Sequence, residues 1–142
     1  MPAPPAPKRK ILADLLALVP FAGTLGMTFD AVEPGEVRGR LPWAEELCTA
    51  GGLLHGGALV AFADTLGAAC AYVNLPDGAT TVTVESKTNF FRGVRRGEVT
   101  GTTRPLHVGR SLIVVQTDLV DDEGKRVAQV TQTQAVLRQE ER

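Results

Sequence analysis

Hydrophobic and polar residues alternate along most of the chain, with one long exception near its middle. The stretch 56–72 (GGALVAFADTLGAACAY) is apolar on almost every face over several helical turns. A helix that is apolar all round belongs inside a structure and not on its surface. We therefore expect one long helix that is enclosed by the rest of the domain.

Period-two alternation predicts β-strands on both sides of this helix. Before the helix, the segments 24–31 and 36–41 alternate, and the turn signal Pro34-Gly35 separates them. After the helix come turn residues at 74–78 and then four further strand-like segments: 80–91, 98–108 (with a disturbance at Pro105), 110–120 and 127–137. This order predicts an α+β domain in which a curved antiparallel sheet of five to six strands wraps a long central helix. That is the layout of a hotdog fold.

The N-terminal segment begins with a Pro/Ala-rich stretch, and we expect residues 1–10 to form a disordered tail. From residue 11 onwards Leu15, Leu16 and Val19 fall on one helical face, and Asp14 interrupts the apolar run. This pattern favours a short amphipathic helix over a signal peptide. No stretch is expected to be long and apolar enough to span a membrane, and residues 11–142 are predicted to form a single domain.

Composition narrows the possible partners and cofactors. A formal net charge of -1 and 5% aromatic residues argue against nucleic acid and against a membrane surface. Cys48 and Cys70, the only cysteines, make neither a disulfide scaffold nor a zinc pattern. We expect a cytoplasmic protein without a metal or organic cofactor.

The central helix carries the candidate chemistry. Asp64 is its only charged residue, and a carboxylate among apolar neighbours has to be paired, protonated or used. At the helix start, Gly56 and Gly57 leave bare N–H donors at the positive end of the helix dipole. An acid and an open oxyanion-binding helix start together suggest acyl chemistry.

Two motifs place these residues in a known context. The segment L-L-H-G-G-A-L-V-A-F-A-D, followed by T-V-T-V-E-S-K-T-N-F-F-R, resembles hotdog-fold acyl-CoA thioesterases of the phenylacetic-acid-degradation type. The resemblance covers about residues 20–138. It implies that the Gly56 N–H polarises the thioester carbonyl and that Asp64 acts as nucleophile or as general base. It also implies a strand hydroxyl that positions water, which is Thr83 or its rival Thr81.

Helix geometry adds a constraint on assembly. Gly56 and Asp64 are eight residues apart, which is about 12 Å along one helix. Both groups have to lie near one thioester carbon, so a single helix cannot supply both. Two antiparallel copies can, which predicts a homodimer with two cross-subunit sites. We further expect two such dimers to associate as a homotetramer.

The remaining candidate residues are predicted to contact the substrate. His55 is interpreted as a hydrogen-bonded loop histidine that lines the site, next to Gly57 and Leu54. Arg92, with Arg95 and Arg96, is a candidate for the CoA phosphates, although such a basic run is more often a solvated turn. Many relatives carry Asn six residues before the histidine, where this chain has Thr49, and this departure affects substrate choice or rate.

The predicted function is hydrolysis of an acyl-CoA, with an aromatic group such as phenylacetyl or a medium chain, to free acid and CoA. One alternative is a non-catalytic acyl-CoA-binding module, which the intact Asp64 disfavours. The other is a hotdog dehydratase or hydratase. It is disfavoured because His55 lies nine residues from Asp64, on the wrong helical face for a dyad.

Overall fold

The computed structural model describes residues 14–138. The predicted tail 1–10 therefore lies outside the described residues, as do residues 11–13 of the first predicted helix. The helices are α1 (14–18), α2 (Pro20–Leu25) and α3 (Gly56–Val73). The strands are β1 (Thr28–Glu33), β2 (Glu36–Pro42), β3 (Ala79–Phe90), β4 (Glu98–Val108), β5 (Leu112–Val120) and β6 (Arg126–Arg138). Two short 3-10 turns, Glu45–Leu47 and Ala50–Gly52, lie between β2 and α3.

All six strands form one antiparallel sheet in the order β1-β2-β4-β5-β6-β3. The long helix α3 contacts every strand of the sheet. The prediction of a hotdog fold, with a central helix wrapped by a curved sheet, is confirmed. Strand β3 lies at one edge of the sheet, although it follows α3 directly in the chain.

The core lies between α3 and the concave face of the sheet. Phe62 and Leu66 of the helix are fully buried, and the side chains beneath them include Val99, Ile113 and Val130. The helix approaches the sheet most closely over Gly39 of β2 and Gly101 of β4, which are paired across the two strands. A Cβ atom at Gly101 would lie 2.4 Å from Cδ1 of Leu66. Glycine at these two positions therefore lets the helix approach the sheet this closely.

The first predicted strand begins later than the sequence pattern indicates. Residues 24 and 25 belong to α2, and β1 starts at Thr28. Proline at the first turn of α2 fits the start of a helix, and Gly26 ends it in the left-handed conformation at φ 76°. Residues 24–27 alternate because Leu25, at the end of α2, and Met27, just after it, are both buried. The strand prediction was therefore wrong for these residues.

Two of the four register shifts in the sheet lie in β3 and β4, which both contact the helix. The predicted disturbance at Pro105 is present as a register shift between Pro105 and His107 of β4. A second shift lies between Thr83 and Glu85 of β3. It leaves Val84 63% exposed at the sheet edge. Such bulges increase the local bend of a strand.

The expectation that no segment has the character of a membrane span needs a correction. Helix α3 is long and apolar enough to cross a membrane by length and composition. In the fold it packs against the sheet as the core helix, and its apolar character serves that packing.

Burial in this core also raises the pKa of the Cys70 thiol to about 11. The thiol is therefore protonated at neutral pH and is a poor nucleophile.

The close approach of helix and sheet can be tested with Gly39→Ala. The new Cβ would lie 2.6 Å from the Thr28 carbonyl oxygen and 2.9 Å from Leu66 Cδ2. Because a backbone atom cannot rotate away, we expect the free energy of unfolding to fall by about 1–3 kcal/mol. Urea denaturation at fixed protein concentration measures this loss.

The matched control is Gly35→Ala in the β1–β2 turn, where a Cβ meets nothing within 4 Å. It is expected to change the free energy of unfolding by less than about 1 kcal/mol. Equal stability of the two variants would contradict the proposed packing.

Candidate active site

The N-terminus of α3 has one unused backbone donor. His55 is the N-cap, and its carbonyl oxygen accepts from the N–H groups of Ala58 at 2.9 Å and Leu59 at 3.2 Å. The N–H of Gly57 donates to Nδ1 of His55 at 2.7 Å. Within the described residues the N–H of Gly56 has no partner. The helix thus presents a single free N–H at the positive end of its dipole.

His55 caps the helix with its ring. Because Nδ1 accepts a hydrogen bond, it carries no proton and is not available to take one from water. A Cβ at residue 57 would lie 2.9 Å from Nδ1, so Gly57 makes room for the ring. This geometry agrees with the interpretation of His55 as a hydrogen-bonded loop histidine. Because the Gly57 N–H donates to His55, it is not free to bind a substrate oxygen.

Asp64 is half-buried two turns further along α3. Its Oδ1 atom accepts from the Thr83 hydroxyl at 3.3 Å and from the Gln132 amide at 3.1 Å. Its Oδ2 atom has no hydrogen-bond partner among the described residues. No buried side-chain oxygen or nitrogen in the described part lacks a partner, so Oδ2 is open to its surroundings. The carboxylate is held by one oxygen and free at the other.

Of the two threonines that the sequence left open, Thr83 is the one beside Asp64. Thr81 lies one inward position earlier on β3, and its hydroxyl donates to the Ala135 carbonyl at 2.8 Å. The register shift after Thr83 turns the strand at this point. Thr83 remains exposed in the single chain.

Two residues of the site were missed by sequence reasoning, Gln132 and Gln134 of β6. Gln132 is 1% exposed and Gln134 is fully buried, and both face α3. Gln134 donates to the Thr83 hydroxyl oxygen at 2.8 Å and to Oε1 of Gln132 at 3.2 Å. A signal was present: in β6 the inward positions continue from Val130 to these two polar residues.

An apolar pocket of about 240 Å³ opens beside Asp64. Helix α1 contributes Leu15 and Leu18, and Phe29 of β1 lies on the same side. Helix α3 contributes Ala68 and Tyr72. The full lining is Leu15, Leu18, Val19, Phe29, Asp64, Thr65, Ala68, Ala69, Tyr72 and Thr81. Among the described residues, Asp64 is the only charged side chain that lines this pocket.

None of the five predicted substrate contacts lines this pocket: His55, Gly57, Leu54, Thr49 and Arg92 all lie elsewhere. Leu54 is 4% exposed and belongs to the hydrophobic core, because its segment is hydrogen-bonded to Val94 and paired with Cys48. It packs the core and does not line the pocket. Thr49 is exposed, and its side chain makes no hydrogen bond within the described residues.

Arg92 lies in the loop after β3, at a separate groove of about 310 Å³. Arg95 and Arg96 line the same groove, opposite the carboxylates of the β5–β6 turn, Asp121, Asp122 and Glu123. Arg95 donates to the Gly51 carbonyl at 2.8 Å. The guanidinium groups of Arg92 and Arg96 have no partner within residues 14–138.

The described residues contain no group of three or more His, Cys, Asp or Glu side chains placed to hold a metal ion. The chemistry of the site rests on the Gly56 N–H and on the open oxygen of Asp64. Both groups belong to one helix and are separated by two turns, so the single chain does not bring them together.

Comparison with known proteins shows that the chain is similar to thioesterases and to an acyl-CoA hydrolase. The family model of the thioesterase superfamily matches residues 51–128. A proofreading thioesterase, EntH of Cronobacter sakazakii, is 37% identical over 86 residues, which cover 61% of this chain and 63% of that protein. The 1,4-dihydroxy-2-naphthoyl-CoA hydrolase of Escherichia coli is 29% identical over 133 residues, which cover 92% of this chain and 98% of that protein. The three relatives that are 37% to 41% identical to this chain are matched over only 58% to 63% of their own lengths.

Solved structures give the same result for the fold. Thioesterase HI1161 of Haemophilus influenzae has a TM-score of 0.84 and 29% identity, covering 89% of this chain and 90% of its own. A phenylacetic acid degradation-related protein of Ralstonia eutropha has a TM-score of 0.76 and 30% identity, covering 82% of this chain and 89% of its own. The family model, which matches more than half of the chain, and the shared fold establish that the chain belongs to the hotdog-fold thioesterase superfamily.

Proposed function

We propose that the protein hydrolyses an acyl-CoA thioester to a free acid and CoA. The observation that carries the proposal is the state of Asp64: one oxygen is held by two donors, and the other is open beside an apolar pocket. The Gly56 N–H supplies the donor for the oxyanion that develops on the thioester carbonyl. Asp64 then either removes a proton from the water that attacks the carbonyl carbon or attacks that carbon itself. In both routes the C–S bond breaks and CoA leaves; in the second, water then hydrolyses the mixed anhydride to the free acid and restores Asp64. Neither route uses a metal or an organic cofactor.

The size of the pocket favours a small acyl group. A cavity of about 150 Å³ holds a benzene molecule. The pocket beside Asp64, at about 240 Å³, has room for one aromatic ring with a short linker or for a medium chain. Phenylacetyl-type and medium-chain thioesters are therefore the proposed substrates.

The free guanidinium of Arg92 supports a role in binding the phosphates of CoA. Phosphate groups pair strongly with arginine, and the Arg92 side chain is exposed and has no ion-pair partner in the described structure. The carboxylates across the groove already serve the turn, because Asp121 accepts from the backbone N–H groups of Glu123 and Lys125. These carboxylates do not form an ion pair with Arg92, so its guanidinium can bind a phosphate.

The sheet edge supports the proposed homodimer. No residue of β3 is buried in the single chain, although β3 is the longest strand but one and follows the core helix. Val82 is 51% exposed and Phe90 is 54% exposed. A long exposed edge with apolar side chains is a template for pairing with another strand. Pairing of two copies through β3 would cover these side chains and would place two α3 helices side by side.

In such a dimer, Gly56 of each subunit faces Asp64 of the other. The arrangement supplies both groups to one thioester, which a single helix cannot do because of the distance of about 12 Å between them. Association of two dimers into a tetramer is a further part of the proposal, as is a cytoplasmic location.

The first test compares wild type and Asp64→Asn on short, medium, long and aromatic acyl-CoAs, with release of CoA thiol as the readout. The replacement amide keeps the shape of the side chain but cannot act as base or nucleophile. We expect turnover to fall by about 10²–10⁴-fold. Asp118→Asn is the matched control, because Asp118 also accepts from a glutamine, Gln129, but on the outer face of the sheet.

Unchanged turnover in Asp64→Asn would remove Asp64 from the reaction. Absence of turnover by wild type, with saturable acyl-CoA binding in calorimetry, would favour the alternative of a non-catalytic binding module. The exposed Thr49, which supports no site residue in the single chain, would then be the position to examine.

The role of the Gly56 N–H can be isolated with Gly56→Pro and Gly56→Ala. Proline fits the first position of a helix and removes only the N–H, and His55 already has the extended conformation that precedes proline. Alanine keeps the N–H and adds a Cβ at 3.2 Å from the ring of Phe90. We expect kcat to fall by about 10²–10³-fold in Gly56→Pro. Gly56→Ala controls for crowding and should retain most of the activity; equal losses would contradict the oxyanion role.

The cross-subunit arrangement predicts complementation between two inactive variants. Mixing Asp64→Asn with Gly56→Pro subunits gives heterodimers in which one of the two sites has both groups intact. After random exchange of subunits we expect about one quarter of the wild-type activity. Mass spectrometry with isotope-labelled subunits verifies the exchange. Verified exchange without recovered activity would show that both groups act from the same chain.

A further inference from the structure

An apolar residue would fill the space of each buried glutamine of β6 equally well, so packing alone does not explain these two residues. Gln132 and Gln134 point into the core beside Val130 and against α3. Burying an amide is unfavourable unless all of its polar atoms are hydrogen-bonded. Here the partners are the site residues themselves, which indicates a function for the pair.

The donated hydrogen bonds of Gln134 and Gln132 lead step by step from Gln134 towards Asp64. Gln134 donates to the Thr83 oxygen, so the Thr83 hydroxyl hydrogen is free to donate to Asp64. Gln134 also donates to Oε1 of Gln132, whose own amide donates to Asp64. The Thr81 hydroxyl donates its one hydrogen to the Ala135 carbonyl at 2.8 Å and lies 3.3 Å from Oε1 of Gln134.

Every branch of this network ends on the same atom, Oδ1 of Asp64. The reverse orientation of Gln132 would point its amide oxygen at a carboxylate oxygen, and two acceptors repel each other. The network therefore requires an acceptor at Oδ1, and Oδ1 accepts from both Thr83 and Gln132. Oδ2 is left without a donor among the described residues, and Asp64 itself lines the pocket.

We propose that Gln132 and Gln134 are positioning residues that hold Asp64 by Oδ1 and select Oδ2 as its reacting oxygen. Gln132 acts directly on the carboxylate, and Gln134 acts through Thr83 and Gln132. Thr83 on this view orients the carboxylate, since its hydrogen is committed to Oδ1. The inference rests on the proposed thioesterase function of Asp64 and assigns residues to it that lie on the last strand.

Helix α3 is adapted to this contact at Gly67. A Cβ at residue 67 would lie 1.9 Å from Oε1 of Gln132, closer than any real contact allows. Gly67 lies three residues after Asp64, on the next turn of the helix. Any larger residue at this position would displace the Gln132 amide from Asp64.

The test removes the amides without removing their volume. Gln132→Met keeps the length of the side chain, fills the same space and eliminates the donor to Asp64. We expect kcat for acyl-CoA hydrolysis to fall by about 10- to 100-fold, the effect of losing a hydrogen bond to a charged group. KM should change by less than about threefold, because Gln132 does not line the pocket. Gln134→Met should lower kcat in the same way.

Gln129→Met is the matched control. Gln129 lies on the same strand and donates to a carboxylate, that of Asp118 at 3.0 Å, but on the outer face of the sheet. Its kcat should stay within about twofold of wild type. A general effect of losing a Gln–Asp pair from β6 would lower the activity of both variants.

A double-mutant cycle separates positioning from a merely structural role. If Gln132 acts through Asp64, then Gln132→Met should not lower the residual activity of Asp64→Asn any further. A structural role would lower the activity by the same factor in both backgrounds. If Gln132→Met does not fold, Gly67→Ala provides the second variant, because its methyl group displaces the same amide; the same loss of kcat is expected.

The outcomes are distinguishable from failure of the proposed function. Turnover by wild type with an unchanged kcat in folded Gln132→Met, or additive losses in the cycle, would overturn the positioning role alone. Absence of turnover by wild type would remove the thioesterase function and this inference together. A loss of kcat that vanishes in the Asp64→Asn background is the result expected.

Discussion

The structure depends on placing one carboxylate in a helix that is otherwise apolar. Helix α3 has to be buried to fold the domain, and Asp64 has to remain ionisable and accessible within it. The fold meets both demands by pairing one oxygen of Asp64 with donors from β3 and β6 and leaving the other oxygen at a pocket. The sheet thus does more than cover the helix, because its two neighbouring strands at one edge supply the polar partners of the acid.

Helix α3 carries the two groups of the proposed site, a backbone donor at its first residue and an acid in its interior. Its N-terminus is capped by the His55 ring and carbonyl, which use all but one of the donors of the first turn. The remaining donor, at Gly56, has no partner within the described residues, and glycine at this position leaves room for the ring of Phe90. The helix interior carries the acid two turns away. In the proposed mechanism, the distance between the two groups requires that two chains associate.

Much of this was accessible from the sequence. The alternation of residues identified all six strands, and the motif around His55 identified the helix start, because both are local patterns. The failure at residues 24–27 has a local cause too: a proline-initiated turn of helix imitates alternation when its last residue is buried. Gln132 is different, since it meets Asp64 across 68 residues of chain. Only the order of the strands, with β6 beside β3, brings the two together, and no local pattern contains that order.

The direction of the hydrogen bonds around Asp64 has a consequence for how this site can change. The donors of Thr83 and Gln132 converge at the reach of an aspartate side chain. A glutamate at position 64 would carry its carboxylate one methylene further and past both donors, and a larger residue at position 67 would push Gln132 away. The length of the acid, the missing side chain at Gly67 and the glutamine on β6 therefore form one unit. A change at any one of these three positions is therefore expected to weaken the contact with Oδ1 unless the other two positions compensate for it.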